Sequence, residues 1–286
     1  MPDDLSLVLD SPDDSVLPLH FRRADGPYVK PGSPVPTRAG LNRVRASGSH
    51  QFSEDELAKL AQSLPSGTTV VDLRQESHGF VNGIAVSWYA PKDFANIGQA
   101  LPVIEADEAR RLKDLRNAGK ATILKIMAKD DQGRISASEP FRVSVESVNT
   151  EAGLIRSKGL IYDRIPVLDH AAPADADVDH FLDIWRRTHP NGWLHFHCHA
   201  GEGRTTAFLA MADMLVNARE VGFEDIVKRQ GMLGGLNLLE ITPGWKAAYA
   251  LERREFLRRF HAYAYANPDG RPLTWSEWIK SARAVS

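Results

Sequence analysis

The chain has 286 residues, 43% of them hydrophobic and 25% charged, with a formal net charge of −2. That is room for one large domain, or one domain with a substantial insertion, and an ordinary globular composition that excludes a disordered chain. The charge balance excludes a broadly basic nucleic-acid binder, and no apolar run approaches the ~20 residues a membrane-spanning helix needs.

A single cysteine rules out an internal disulfide, so the fold must be held by its core. The start, "MPDDLSLVLDSPDDSV", is acidic and lacks the charged-then-apolar plan of a signal peptide. A soluble protein is expected. An exported protein whose leader had been removed would look the same, so compartment and oligomeric state are left open.

The first 40 residues are rich in proline, as in "GPYVKPGSPVPT", and read as irregular or edge structure. A helix is predicted from "SEDELAKLAQSL", where Ser53 and Glu56 have the spacing of a capping box and Leu57, Leu60, Ala61 and Leu64 form one stripe. "TTVVDLR" follows as a strand, and helix-then-strand is the rhythm of an α/β sheet. Residues 94–117 read as a helix interrupted by Pro102. Between 120 and 148 the period changes: "KATILKIMA" and "FRVSVESV" are strand-like, joined by "KDDQGRISASEP", which suggests an inserted β subdomain. The α/β rhythm resumes with the strand "LIYDRIPVLD", a helix over 176–188, the strand "WLHFH" and a helix from about Gly203. The fold class is α/β, a mostly parallel central sheet flanked by helices.

The lone thiol, Cys198, lies where a strand ends and a helix begins, the usual ligand position in open α/β sheets. Five residues, His199, Ala200, Gly201, Glu202 and Gly203, separate it from Arg204. Curled onto a helix N-terminus, such a loop points successive N–H groups inward and makes a nest sized for phosphate. Arg204 can close the nest with a planar fork. The same field favours a thiolate nucleophile, and the Thr205 hydroxyl can hydrogen-bond the sulfur.

Phosphoryl transfer to cysteine followed by hydrolysis is the chemistry expected, with Asp169 in "PVLDHAAPAD" overhanging the nest as general acid from a strand adjacent to that of Cys198. The alternation of His195, His197 and His199 raises a metal site, but no carboxylate–histidine cluster completes a ligand set in the sequence, so neither metal nor organic cofactor is expected. His195 reads as a core histidine and His197 as a residue that hydrogen-bonds the loop. Arg74, Glu76 and His78 read as an internal polar network under the pocket.

The run His-Cys-x-x-Gly-x-Gly-Arg-Thr-Thr resembles the signature loop of the cysteine-dependent protein tyrosine phosphatase superfamily. With "DLRQESHGFVNGIAVSWYAPKDFANIG", "LHFHCHAGEGRTTAF" and "VKRQGMLGG", the chain resembles the bacterial phosphatase-like phytases from about Phe21 to "PLTWSEWIKS". The resemblance implies one phosphatase domain over 1–286, with about 119–150 and N-terminal strands at about 15–30 forming a small partial β-barrel. It implies hydrolysis of myo-inositol hexakisphosphate and lower inositol polyphosphates, with Cys198 as nucleophile, Arg204 as phosphate clamp and Asp169 as acid. It also implies substrate contacts from Arg22, Asp93, His170, Lys246 and Arg253, and from Lys129 on the barrel loop. Gln230 corresponds to a glutamine that positions water in tyrosine phosphatases, with loop stabilisation as the alternative. Glu202 departs from a purely basic site and is expected to point away or pair with a cation. The alternatives are a protein tyrosine or dual-specificity phosphatase, and an inactive binder of phosphorylated ligands.

Overall fold

The computed structural model describes residues 5–12 and 16–285; parts of the acidic start lie outside them. The chain opens with β1 (Ser6–Ser11), β2 (Arg22–Arg23) and β3 (Ala46–Ser49), then α1 (Glu54–Ser63) and β4 (Thr69–Arg74). A hairpin of β5 (His78–Val81) and β6 (Ile84–Tyr89) leads through a loop to α2 (Leu101–Ala118). The β-rich stretch is β7 (Lys120–Lys129), β8 (Ile135–Ser144) and β9 (Val148–Asn149), followed by α3 (Glu151–Ser157) and β10 (Ile161–Val167). The last part is α4 (Asp175–Thr188), β11 (Leu194–His197), α5 (Gly203–Asn217), α6 (Phe223–Met232), α7 (Ala247–Ala266) and α8 (Trp275–Val285).

These strands form two sheets. One has five strands in the order β10-β4-β11-β3-β2, parallel throughout except for the antiparallel edge β2. Every residue of β4 is buried, as expected for a strand covered on both faces by helices. The second sheet has the order β8-β7-β1-β6-β5-β9 and is antiparallel apart from the β1–β7 pair. The main core lies where α5, α4 and α7 meet the first sheet. Phe208 of α5 packs edge-on against Phe181 of α4 at 5.4 Å, and Phe181 touches Phe196 of β11 at 6.0 Å and Phe260 of α7 at 6.3 Å. Burial of α5 on nearly all sides fixes its N-terminus at the end of β11.

Several sequence readings need correction. Of the N-terminal barrel strands expected at about 15–30, the described residues 16–30 give none to the six-stranded sheet; the N-terminal strand there is β1, while Arg22–Arg23 pairs with β3 in the other sheet. Pro18 and Pro27 withhold ladder donors in that stretch, whereas "SLVLDS" has every N–H to offer. Pro102 does not interrupt a helix over 94–117 but sits in the first turn of α2, where its missing N–H costs nothing. β10 is not adjacent to β11, because β4 lies between them. The β5–β6 hairpin turns at Asn82-Gly83, a sequence signal in its own right: both residues have positive φ, 51° and 82°, as a tight hairpin turn demands.

The capping box of α1 is present, with Ser53 Oγ accepting from the Glu56 N–H at 3.2 Å and Glu56 Oε2 accepting from the Ser53 N–H at 2.8 Å. Ser53→Ala should therefore lower the unfolding free energy by about 1 kcal/mol in urea titration. An unchanged midpoint and slope would remove the cap from the stability account.

Candidate active site

Cys198 follows directly on β11 and is only 3% exposed. Its Sγ accepts a hydrogen bond from Thr205 Oγ1 at 3.1 Å, as expected from the sequence. The loop beyond it is held from outside by its carbonyls. The Gln51 N–H donates to the His199 oxygen at 3.1 Å, His20 Nδ1 lies 2.9 Å from the Ala200 oxygen, and Arg22 Nη1 donates to the Gly201 oxygen at 2.9 Å. In a trans peptide the carbonyl of one residue and the N–H of the next point opposite ways. Anchoring these three oxygens outward therefore turns the N–H groups of Ala200, Gly201 and Glu202 inward. Among the described residues these amides donate to no protein acceptor. Gly201 has φ 68°, and a Cβ there would press into the backbone of Ser49 and His50, so the turn requires glycine.

The guanidinium of Arg204 is gripped by Glu76, with Nη1 donating to Oε2 at 2.8 Å and Nη2 to Oε1 at 2.9 Å. It also donates to the Val167 carbonyl at 3.1 Å, and its Nε lies 3.2 Å from Asp169 Oδ1. Burial pulls the Arg204 pKa down, but Asp169 and Glu76 outweigh it and hold the group well above its ordinary value. Glu76 is shared with Arg74 Nε at 2.8 Å, and Arg74 in turn pairs with Asp10 of β1 at 2.8 Å. The network expected from Arg74, Glu76 and His78 is thus present, and it extends into the second sheet.

A cavity of about 330 Å³ opens above the thiol, with Asp169, His170, His199, Lys246 and Arg253 on its walls. Asp169 reaches it across the end of β4. Burial pushes the Asp169 carboxyl up, yet the Arg204 charge outweighs this and leaves it below the ordinary carboxylate value. His170, pushed down by burial to about 4, is neutral at pH 7, with Nε2 3.0 Å from Asp169 Oδ2. Arg253 Nη1 donates to the His170 carbonyl at 3.1 Å and also lies against Gly203. Lys246 is exposed at the rim, over the Trp245 ring at 5.2 Å. His199 Nδ1 lies 3.3 Å from Asp93 Oδ2 and its Nε2 lies 3.5 Å from Asp10 Oδ1. Burial opposes charge on His199, but the two carboxylates raise its pKa. A larger neighbouring cavity of about 650 Å³, along α6 and Lys30–Pro34, contains neither the thiol nor the acid.

Other expected site residues lie elsewhere. Arg22 is buried behind the loop, bonded to Gly201 and to Thr206 Oγ1 at 3.0 Å; burial pulls it down to about 10. Asp93 lies buried behind His199, off the cavity wall, and burial raises its carboxyl. Gln230 is buried and donates to Asp213 Oδ2 at 2.8 Å, which ties α6 to α5, and it does not line the cavity. Lys129 rests its Nζ 4.2 Å over the Tyr89 ring and does not line the cavity. Glu202 is exposed and is among the residues lining the cavity, it forms no ion pair within 4 Å among the described residues, and its charge acts on Arg22 behind the loop. His195 is the core histidine expected, between Ser47 and Ser49.

His197 does not hydrogen-bond the loop. Its side chain turns to the other side of the strand, where Nε2 is 2.7 Å from Glu151 Oε1. The absence of a carboxylate–histidine cluster also needs correction, since Asp72, Glu151 and His197 each place a ligand-type atom within 4.8 Å of the others. The cluster does not fit a metal. Asp72 already accepts from the Arg74 N–H at 2.8 Å and Tyr162 Oη at 3.1 Å, and faces Arg164 Nε at 3.0 Å. His78 fills the remaining place, with Nε2 3.2 Å from both Asp72 and Glu151.

Burial pulls the His78 imidazolium down, but Asp72 outweighs it and lifts the group to about 10. A proton held more tightly when folded than at the unfolded value of about 6.5 adds stability that is full below that pH and is lost as pH rises toward 10. His78→Gln should be less stable than the native chain at pH 6, with the gap narrowing by pH 10 in urea titrations. A gap that stays constant would contradict a charged His78.

A parallel strand, a loop with its amides turned inward over a buried thiol, and a helix N-terminus closed by a guanidinium define the class: the fold and anion cradle of the cysteine-dependent phosphatases. The family model for PTP-like phytases, described by inositol hexakisphosphate, matches residues 71–216, and the chain belongs to that family. The PTP-like myo-inositol phosphatase of Mitsuokella multacida, solved in complex with myo-inositol-(1,3,4,5)-tetrakisphosphate, is 36% identical with a TM-score of 0.90, over 99% of this chain and 48% of that one. A PTP-like phytase from Bdellovibrio bacteriovorus is 34% identical with a TM-score of 0.74, over 97% of this chain and 95% of its own. Effector protein hopD2 of Pseudomonas syringae pv. tomato is 31% identical over 245 residues, 84% of this chain and 52% of hopD2. The chain thus spans about half the length of hopD2 and of the Mitsuokella protein.

Proposed function

We propose that the chain hydrolyses phosphate monoesters of inositol polyphosphates, including the hexakisphosphate, through a phosphocysteine at Cys198. The observation that carries this reading is the single cavity that sets the thiol beneath Asp169 and puts His170, Lys246 and Arg253 around it. Family membership and the tetrakisphosphate complex of the Mitsuokella relative support the substrate class.

In this reading the inward amides and Arg204 bind the phosphate to be cleaved. The sulfur attacks phosphorus as the bond to the inositol oxygen breaks, and Asp169 gives its proton to that oxygen. Arg204 holds the Asp169 carboxyl down in the free site. A bound phosphate dianion takes up part of the Arg204 charge and adds its own, which pushes the carboxyl back up and loads the proton when it is needed. Water then attacks the phosphocysteine, Asp169 takes its proton, and phosphate leaves with the thiolate restored. Lys246 and Arg253 face the phosphates that are not being cleaved. Arg22 acts through the Gly201 carbonyl it holds, and Asp93 through His199.

Cys198→Ser should abolish phosphate release from inositol hexakisphosphate. Asp169→Asn should lower kcat on that substrate by roughly 10²–10⁴-fold while binding persists. Release by the serine variant at the native rate would mean a contaminating activity.

A protein tyrosine or dual-specificity phosphatase shares every chemical step. One observation favours it: Glu202 and Glu240 stand on the same wall and oppose a polyanion. Lys246→Ala separates the two readings. It should raise KM for the hexakisphosphate about tenfold and leave p-nitrophenyl phosphate nearly unaffected. Equal effects on both substrates would favour the protein phosphatase.

A further inference from the structure

Asp169 sits on a loop between β10 and α4, yet a general acid must be aimed to within a fraction of an ångström of the leaving oxygen. The residue that grips its carboxyl from outside the cradle is its neighbour His170, with Nε2 3.0 Å from Oδ2 and the His170 N–H 2.9 Å from Oδ1. His170 itself has φ 65°, a left-handed conformation uncommon for a side-chain-bearing residue, so something must hold it there. Two groups near the start of α7 do so. Arg253 takes its carbonyl, and the Trp245 ring stands edge-on to its imidazole at 5.0 Å and 86°.

Trp245 is in turn fixed from several sides. Phe94 meets it edge-on at 6.4 Å, and Tyr249 does the same at 6.4 Å. Lys92 Nζ and Lys246 Nζ lie 5.1 and 5.2 Å from its ring centre, within cation–π range. The indole is thus a half-buried wedge set between the Lys92–Phe94 turn and the acid loop. It does not itself line the cavity.

We propose that Trp245 is a positioning residue for the Asp169 carboxyl, acting through the His170 ring. The inference rests on the assignment of Asp169 as general acid. Without the indole, His170 has room to turn and the carboxyl loses the partner that orients it, while the cradle of amides, Cys198 and Arg204 is untouched. The loss falls on proton donation alone. An inositol alkoxide needs that proton, whereas p-nitrophenolate leaves readily without it.

The test compares kcat at saturating inositol hexakisphosphate and p-nitrophenyl phosphate for the full chain and for Trp245→Ala, Trp245→Phe, Asp169→Asn and the Asp169→Asn/Trp245→Ala double variant. Trp245→Ala should lower kcat on the hexakisphosphate about tenfold or more and on the aryl ester less than about twofold, which also reports an intact cradle. Trp245→Phe, which can keep an edge-on ring, should retain most of the activity. In the Asp169→Asn background the alanine change should cost nothing further, because the two act on one proton. An equal fall on both substrates, or a full additional fall in the double variant, would overturn the positioning role and leave the acid assignment standing. Native kcat in Asp169→Asn would remove the acid assignment, and the positioning role with it.

Discussion

The paired hydrogen bonds between Arg204 and Glu76 are the interaction on which the site depends. A guanidinium buried at the N-terminus of α5 would be costly alone, and burial does pull its pKa down; Asp169 and Glu76 reverse that. Because Glu76 takes both Nη atoms, the plane of the guanidinium is fixed and its Nε edge is left toward Asp169. Glu76 is itself pinned by Arg74, and burial, which would raise its carboxyl, is outweighed by Arg204 and Arg74. The Arg204 cation is therefore part of a buried chain of alternating charges that runs through Glu76 and Arg74 to Asp10.

That chain gives the second sheet a reason to be where it is. Asp10, on β1, accepts from Arg74, from Ser87 Oγ on β6 at 2.8 Å, and faces His199 in the loop. The six-stranded sheet thus supplies a carboxylate to the loop's histidine and another anchor to the arginine network. The turn between β7 and β8 adds a mechanical tie, since the Gly133 carbonyl accepts from Tyr89 Oη at 2.6 Å and from the Lys92 N–H at 3.2 Å. On the other side of the cradle, α7 and the residues before it reach the acid loop through Arg253 and Trp245.

What the sequence disclosed followed from range. The cradle was legible because Cys198, Gly201, Gly203, Arg204 and Thr205 are neighbours in the chain, and the strand-to-helix step around them dictates their geometry. The cap of α1 was legible for the same reason. Glu76 could be placed in a network but not against Arg204, because their meeting depends on β4 lying next to β11, and strand order is not written locally. The same gap put β10 beside β11 and placed the expected N-terminal barrel strands at about 15–30, whereas β1 is the strand that joins the six-stranded sheet. The family resemblance implies Arg22 as a substrate contact, and the place of His197 beside Cys198 suggests a hydrogen bond to the loop. A strand alternates its side chains, and that alternation sends His197 to Glu151 on the far face, while Arg22 spends its donors on the loop's outer carbonyls.

In the proposed mechanism a phosphate ester held by the inward amides meets the Cys198 sulfur and transfers its phosphoryl group there. The most direct test is to quench turnover of inositol hexakisphosphate in acid within the first cycle and to map phosphorylated peptides by mass spectrometry. The account requires a phosphoryl group on the peptide carrying Cys198, bound to sulfur and absent from the Cys198→Ser chain. Phosphate release at full rate with no sulfur-bound phosphoryl group at any quench time would contradict it.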